Sequence, residues 1–433
     1  LGHAGFLMEK PSTVLEHISA LLSKEAPAPV ARRAPEHGDP VILSITGASA
    51  YGSLDALLAM LGREWTHAGA RILGVSLDER DWPDRLSRAI GSHRIEFCVC
   101  MSGMALEIAE RARSLWDEMR FPVFCLQCDH PAYFHSRHRR LPHNVVLGYL
   151  FRDHAVYQRD HVKAANLVTS VHFGIPDLPL ADPDTADGPR VVFAKTGNDP
   201  RELETRWRAL PHVEPLIRDS LDEVGLGSCE VYPDVVRRVA AAHGIELQPF
   251  DRLTRFLIVQ IDDYVRRRKS TAIAEVIKRF PVDIYGANWE HIDRDGARAR
   301  FHGGVDYETV NQTIAHATAS VTMNPNIELS AHDRFFTALG MGVMPLSDGN
   351  RFIRENFRGL APYTFGFGDG SLEAALEHVF AHPSDALDLA RSTKAQMIPR
   401  FPVRQAAKQI KDCVALAEYF DFSFASPQPF FAL

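Results

Sequence analysis

No apolar run in the 433 residues approaches the roughly 18 residues that cross a bilayer, so no membrane span is expected. Basic residues are not in surplus either. The net charge is −7, the wrong sign for a surface built to neutralise phosphate backbones, and nucleic acid is not an expected partner. The nearest approach to a basic patch, Arg266-Arg267-Arg268-Lys269, falls on a helical pattern and reads as a solvated helix end. Cysteine is sparse: Cys98, Cys100, Cys125, Cys128, Cys229 and Cys413. Cys98-x-Cys100 and Cys125-x-x-Cys128 resemble zinc half-sites, but both lie in the strand-like runs IEFCVCM and FPVFCLQC, where a free thiol behaves as a small buried hydrophobe. No disulfide frame is expected. With no leader-like segment at the start, a reducing, cytoplasmic location is the expectation.

What is present is an alternation of short apolar runs and helical patterns. VILSIT (41–46), RILGVS (71–76), IEFCVC (95–100), PVFCLQ (122–127), NVVLGYL (144–150) and NLVTSVHFG (166–174) read as strands, with a helix SGMALEIAERARSLWDEMR between the third and fourth. After the Pro/Asp-rich LPLADPDTADGP (178–189) the pattern restarts with RVVFAKTG (190–197). A long helical region follows, roughly 199–280, and then VDIYG, ASVTMN, VMPLS and LAPYTF as later strands. Buried parallel strands covered by helices on both faces form doubly wound sheets. The fold expected is therefore α/β, with two tandem doubly wound, Rossmann-like domains facing a cleft. The expected division is an N-terminal helix and linker (1–39), a first domain (40–180), a second domain (188–405), and a C-terminal helix and tail (406–433) packing back on the first domain.

Ligands of open α/β sheets sit at the carboxyl ends of the strands, and four stretches there carry chemistry. The first strand runs into TGASAYGSLDALL, which lacks the Gly-Lys-Ser/Thr of a phosphate loop and has only Gly47 and Gly52 about its turn; Ser49 and Tyr51 could meet a donor or an acceptor. In CDHP, Asp129 and His130 stand at a strand end as a candidate general base. Lys195, just past the first strand of the second half, could reach a diphosphate, with Asn198 nearby. In NPNIELSAHDRFFTALGMGVMPLSDGN, Ser330 is a plausible helix cap. His332 and Arg334 beside that helix start form a candidate anion clamp, with Asn324 before it and Asp348, Gly349 and Asn350 after the next strand. FRDHAVYQRDHV carries two Arg-Asp-His triplets seven residues apart, read as one solvated, salt-bridged helix face. Asp182-x-Asp184 and Asp293-x-Asp295 lie away from strand ends, and no metal is inferred from them.

The runs VDIYGANWEHI, FHGGVDYETVNQTIAHATASVTMNPN and SAHDRFFTALGMGVMPLSD, roughly residues 280–355, resemble the C-terminal half of GT-B glycosyltransferases. They are most similar to the CgeB-like and DUF3880-associated families. The resemblance implies a metal-independent transferase that moves a hexose-like sugar from a nucleoside diphosphate to a protein or glycan hydroxyl, with no cofactor beyond that donor. It places Tyr285, Gly286, Asn288 and Trp289 beside the nucleotide, Arg334 at the donor diphosphate, and Asp348 to Asn350 by the sugar or ribose. Many relatives hold the ribose with a Glu where this chain has Thr337. A nucleotide-sugar epimerase of the same architecture, or a non-catalytic module binding sugar nucleotides or a partner, are the alternatives.

Overall fold

The computed structural model describes residues 39–419 apart from 48, 105, 107–108, 111–112, 120, 135–137, 139–140, 163–165, 184–187, 228–231 and 249–250. The expected N-terminal helix, Cys229, Asp184 and the tail beyond 419 lie outside the described residues.

The first sheet is built from β1 (Val41–Thr46), β2 (Arg71–Ser76), β3 (Ile95–Met101), β6 (Val123–Gln127), β7 (Val145–Tyr149) and β8 (Val168–Ser170), in the order β2-β1-β3-β6-β7-β8. Every pairing in it is parallel. Alternate residues feed two separate cores: Ile42, Phe97, Val99 and Phe124 on one face, Leu43, Cys98, Cys100 and Cys125 on the other. Three of the cysteines of the zinc-like pairs are thus core side chains of one sheet face, and burial pushes the Cys98 thiol well above its ordinary pKa.

The second sheet contains β9 (Val191–Ala194), β10 (Val282–Tyr285), β11 (Arg300–His302), β12 (Ala319–Thr322), β13 (Met344–Asp348) and β14 (Thr364–Phe365), ordered β11-β10-β9-β12-β13-β14 and again parallel throughout. The strand order reverses between β9 and β12, the topological switch point where such sheets bind ligands. Two doubly wound domains in tandem, the fold class expected from the sequence, are present.

Between β9 and β10 the described residues form the helices Arg201–Trp207, Glu214–Val224, Tyr232–Ala242 and Arg252–Ile277. They share a core with Ala132, Tyr157 and Val162 of the first domain. The last of them is 26 residues long, about 39 Å at 1.5 Å per residue. It therefore packs on the second sheet with one end and reaches the first domain with the other. The helix Val403–Tyr419 returns to the first sheet: Ala406, Ala407 and Ile410 share the core of Leu57 and Trp65, and Trp65 Nε1 donates to Ala407 O at 2.9 Å. Each large apolar side chain fully buried this way contributes roughly 1.5–3 kcal/mol.

Three local expectations are corrected. The segment expected as one helix before β6 instead holds a two-residue antiparallel hairpin, β4 (Ala109–Glu110) with β5 (Arg113–Ser114), and a short 3-10 turn, Leu115–Glu118. Among its described residues, Leu106, Leu115 and Trp116 are drawn down singly into the core under the sheet. Of LAPYTF, most is the 3-10 segment Arg358–Tyr363 and only Thr364–Phe365 pairs as strand. The double Arg-Asp-His segment is not one solvated face. Its α-helix stops at Tyr157 and widens into a π-turn over Gln158–Val162, which breaks the seven-residue superposition. Arg159 and Asp160 do pair in solvent. His154, however, is buried, and Asp153 accepts from the backbone N–H groups of Glu328 and Leu329, at 2.9 and 3.0 Å, across the domain boundary.

Candidate active site

The helix Asp333–Gly340 follows β12 and aims its start at the switch point. Its cap is His332, whose Nδ1 accepts from Arg334 N at 3.2 Å, and Asp333 in the first turn complements the helix dipole. Ser330 is not the cap. It lies two residues too early and instead accepts from Arg152 N at 2.9 Å, another link between the domains. Asn324 is a brace: its Oδ1 accepts from His332 N, and its Nδ2 donates to Asp348 O.

Arg334 Nη1 donates to Ala194 O at 2.6 Å, which sets the guanidinium beside Lys195 at the end of β9. The loop after β9 is bound to the loop after β10: Lys195 N donates to Tyr285 O, Gly197 N to Ala287 O, and Trp289 Nε1 to Lys195 O at 2.9 Å. The loops touch so closely that a Cβ on Gly286 would stand 2.1 Å from Lys195 O, at a φ of 138°. Trp289 is fully buried and so positions Lys195 rather than lining a pocket, while Asn288 sits exposed at φ 65°. Tyr285 does face a pocket, its ring stacked on His302 with centroids 4.4 Å apart.

Two contiguous cavities open here, sharing Ser53, Tyr307 and Arg334. One, of about 80 Å³, gathers Tyr51, Lys195, Tyr285, Gly286, Gly304 and Tyr307. Tyr51 enters it from the first domain at φ 59°, close over Gly304, while Ser49 is engaged with the backbone of Leu54. The other, of about 180 Å³, lies between the domains, with Asp129 and His130 on one wall, His332, Asp333 and Arg334 opposite, and Asp262 and Arg266 from the long helix.

Arg266 lines this cavity as well, and the sequence did not point to it. The basic run to which it belongs is not a solvated helix end. Arg267 and Lys269 are buried, and Arg267 pairs with Asp263 and Glu202; Arg268 alone of the four is exposed. Arg266 Nη1 lies 3.5 Å from Asp129 Oδ1 and 3.6 Å from Asp262 Oδ2. Burial opposes its charge, but Asp262 and Asp129 outweigh burial and hold its pKa above the ordinary value. Burial likewise pushes Asp262 up, yet Arg266 and hydrogen bonds from Asn326 and Tyr133 hold it below the usual carboxylate range. Asp262 at i and Arg266 at i+4 look in sequence like any surface pair, so no signal distinguished them.

Lys195 is pushed down to about 7, first by burial and then by Arg266 and Arg334. The Lys195 amine and the guanidiniums of Arg266 and Arg334 lie together about the switch point. His130, pushed down to about 4 by burial, is neutral, and its Nδ1 accepts from Ala132 N at 3.2 Å. The remaining proton is then on Nε2, which leaves neither ring nitrogen free to accept another proton. Thr337 is buried in its helix. Asp348, Gly349 and Asn350 are not brought to these cavities; they line a separate one. Asn350 caps the helix Arg351–Asn356 and donates to Ile327 O and Ser330 O. Among the described residues no group of three or more His, Cys, Asp or Glu is arranged to hold a metal ion, and no helix is long and apolar enough to cross a membrane.

Residues 266–412 match the family model described as glycosyl transferase-like. Comparison with curated proteins returns no match. Among solved structures, the chain is similar to HepE of Anabaena in complex with UDP and glucose, at 11% identity and TM-score 0.47 over 87% of this chain and 100% of that one. It is also similar to a glycosyltransferase from Rickettsia africae, at 9% identity and TM-score 0.39 over 90% and 100%. The lipopolysaccharide outer core galactosyltransferase WaaB matches at 10% identity and TM-score 0.38 over 88% and 100%.

Proposed function

We propose that the protein transfers a sugar from a nucleoside-diphosphate donor to an acceptor hydroxyl. The observation that carries this reading is the gathering of Lys195, Arg266 and Arg334 about the β9/β12 switch point, with Asp129 ion-paired to Arg266 at 3.5 Å. Breaking the bond between the anomeric carbon and the phosphate oxygen leaves a full diphosphate. Fixed cations in a cleft screened from water are what stabilise such charge as it develops. The acceptor oxygen forms the new bond to the anomeric carbon, and its proton passes to Asp129. Tyr285, Tyr51 and Tyr307 supply apolar walls for the base and ribose. In this reading protein cations neutralise the diphosphate, so activity survives treatment with EDTA. The match of residues 266–412 to the glycosyl transferase-like family supports the same assignment; the CgeB-like subgroup and a protein or glycan acceptor are part of the proposal.

The experiment is a panel of UDP-, GDP-, dTDP- and ADP-sugars scored by thermal shift and by slow hydrolysis. One nucleotide should stabilise the protein and its sugar should be released slowly; Arg334→Ala should abolish the stabilisation. No stabilisation by any nucleotide would remove the donor site. Stabilisation without turnover, even with cell extract as acceptor, would favour a binding module.

A further inference from the structure

Next to the loop Asn324–Ser330 a cavity of about 450 Å³ opens among the ends of β13 and β14, the helix Arg252–Ile277 and the start of the helix Ser371–Ala381. It shares no lining residue with the two cavities of the candidate active site. Its size is that of a small-molecule site.

At its base is Lys269, an ammonium on a side chain only 2% exposed. Its contacts are the Asp348 carboxylate at 3.5 Å and the face of Phe367, 5.6 Å from the ring centroid. An ammonium has three donors, and a buried one left this lightly engaged is costly unless something else accepts from it. A purely structural buried ion pair would be tight and enclosed; this one is long and faces open space.

The carboxylates around the cavity already have donors of their own. Asp348 Oδ1 accepts from Asn324 N and Nδ2, Glu328 Oε2 from Arg351 N, and Asp369 Oδ1 from Ser371 N. The cations are more lightly engaged, Lys269 by Asp348 at 3.5 Å. Arg354 spends one nitrogen on Gly349 O and lies 4.0 Å from Glu328, and Arg358 stands at the rim. Spare donors thus outnumber spare acceptors, and the missing partner is a group rich in acceptors. Phe357, Phe365 and Phe367 complete the wall with apolar surface.

We propose that this cavity is a second ligand site, separate from the donor site, that binds a small organic anion. Its phosphate or carboxylate lies on Lys269 and Arg354, and its ring or short apolar portion lies on the three phenylalanines. The site stands independently of the transferase reading.

The test is calorimetric titration of the full chain with phenyl phosphate, benzoate and inorganic phosphate, with UDP binding measured in parallel. Saturable binding of phenyl phosphate or benzoate is expected, tighter than that of inorganic phosphate; whichever of the two binds better assigns the anion. The exposed-rim variant Arg354→Ala/Arg358→Ala should weaken it at least tenfold and leave the affinity for UDP unchanged. Lys269→Met combined with Asp348→Asn, which leaves no lone buried charge, should abolish it in protein shown to be folded by circular dichroism. The proposal is overturned if none of the three anions binds, if the rim variant binds them as wild type does, or if UDP displaces them competitively. Failure of UDP alone to bind would count against the donor site and not against this one.

Discussion

Arg266 Nη1 stands 3.5 Å from Asp129 Oδ1, joining a helix from the second half of the chain to a strand end of the first. The same guanidinium faces Asp262, whose side chain is only 3% exposed, one turn earlier on its own helix. Arg266 therefore both orients the candidate base and neutralises a buried carboxylate.

Replacing it separates those roles. Arg266→Met leaves Asp262 buried without its cation and should cost on the order of 3–5 kcal/mol, read as a lowered urea midpoint. Arg266→Met with Asp262→Asn should recover most of that stability but not sugar transfer. Full activity in the double variant would remove Arg266 from the chemistry.

Lys195 should make donor binding pH-dependent. Its folded pKa is about 7 against an ordinary 10.5, so the cation facing the diphosphate is present below about pH 7 and lost above it. Affinity for the nucleotide should fall as pH rises from 6 to 8. Binding at pH 8 should take up protons, seen as a calorimetric heat that varies with the buffer's ionisation enthalpy. Lys195→Arg should flatten both dependences. In the free protein the sign for folding is the opposite: between pH 7 and 10.5 the unfolded chain keeps a proton that the folded state has released, so stability should rise with pH across that window.

Gly286→Ala should fail locally. A Cβ there meets Lys195 O at 2.1 Å, and backbone cannot swing aside as a side chain can. The loops after β9 and β10 would have to part, at a cost on the order of 2–4 kcal/mol in chemical denaturation and with loss of nucleotide-induced stabilisation.

Asp153 ties the loop between the two cavities to the first domain through the amides of Glu328 and Leu329. Asp153→Ala leaves two N–H groups without acceptors and should lower stability by about 1–3 kcal/mol. It should also reduce kcat more than donor affinity, because the cleft loses alignment and not its cations. An unchanged kcat would show that the tie is structural only.

How much of this was legible from the sequence varied by residue. The placement of Lys195 and Asp129 was readable because each follows a short apolar run that marks the carboxyl end of a strand, whereas Arg334 was placed by the helical pattern that begins beyond the loop after β12. Ser330 was misjudged as a cap because residue type does not fix where a helix begins; the backbone turned two residues later, and His332 took the role. Asp348 and Asn350 were read into the donor site because they end the neighbouring strand, yet side chains at adjacent strand ends can serve separate cavities.

By itself the sequence determined the two doubly wound sheets, since short continuous apolar runs and helical repeats are local properties that propensity and burial enforce wherever the chain lies. The tertiary structure alone decided what the charges do. Whether Arg266, Arg267 and Lys269 are solvated or buried, and whether Asp129 meets Arg266, depends on partners 4 to 137 positions away. Electrostatic energy depends on distance in space and on exclusion of water, and neither is written in the order of residues.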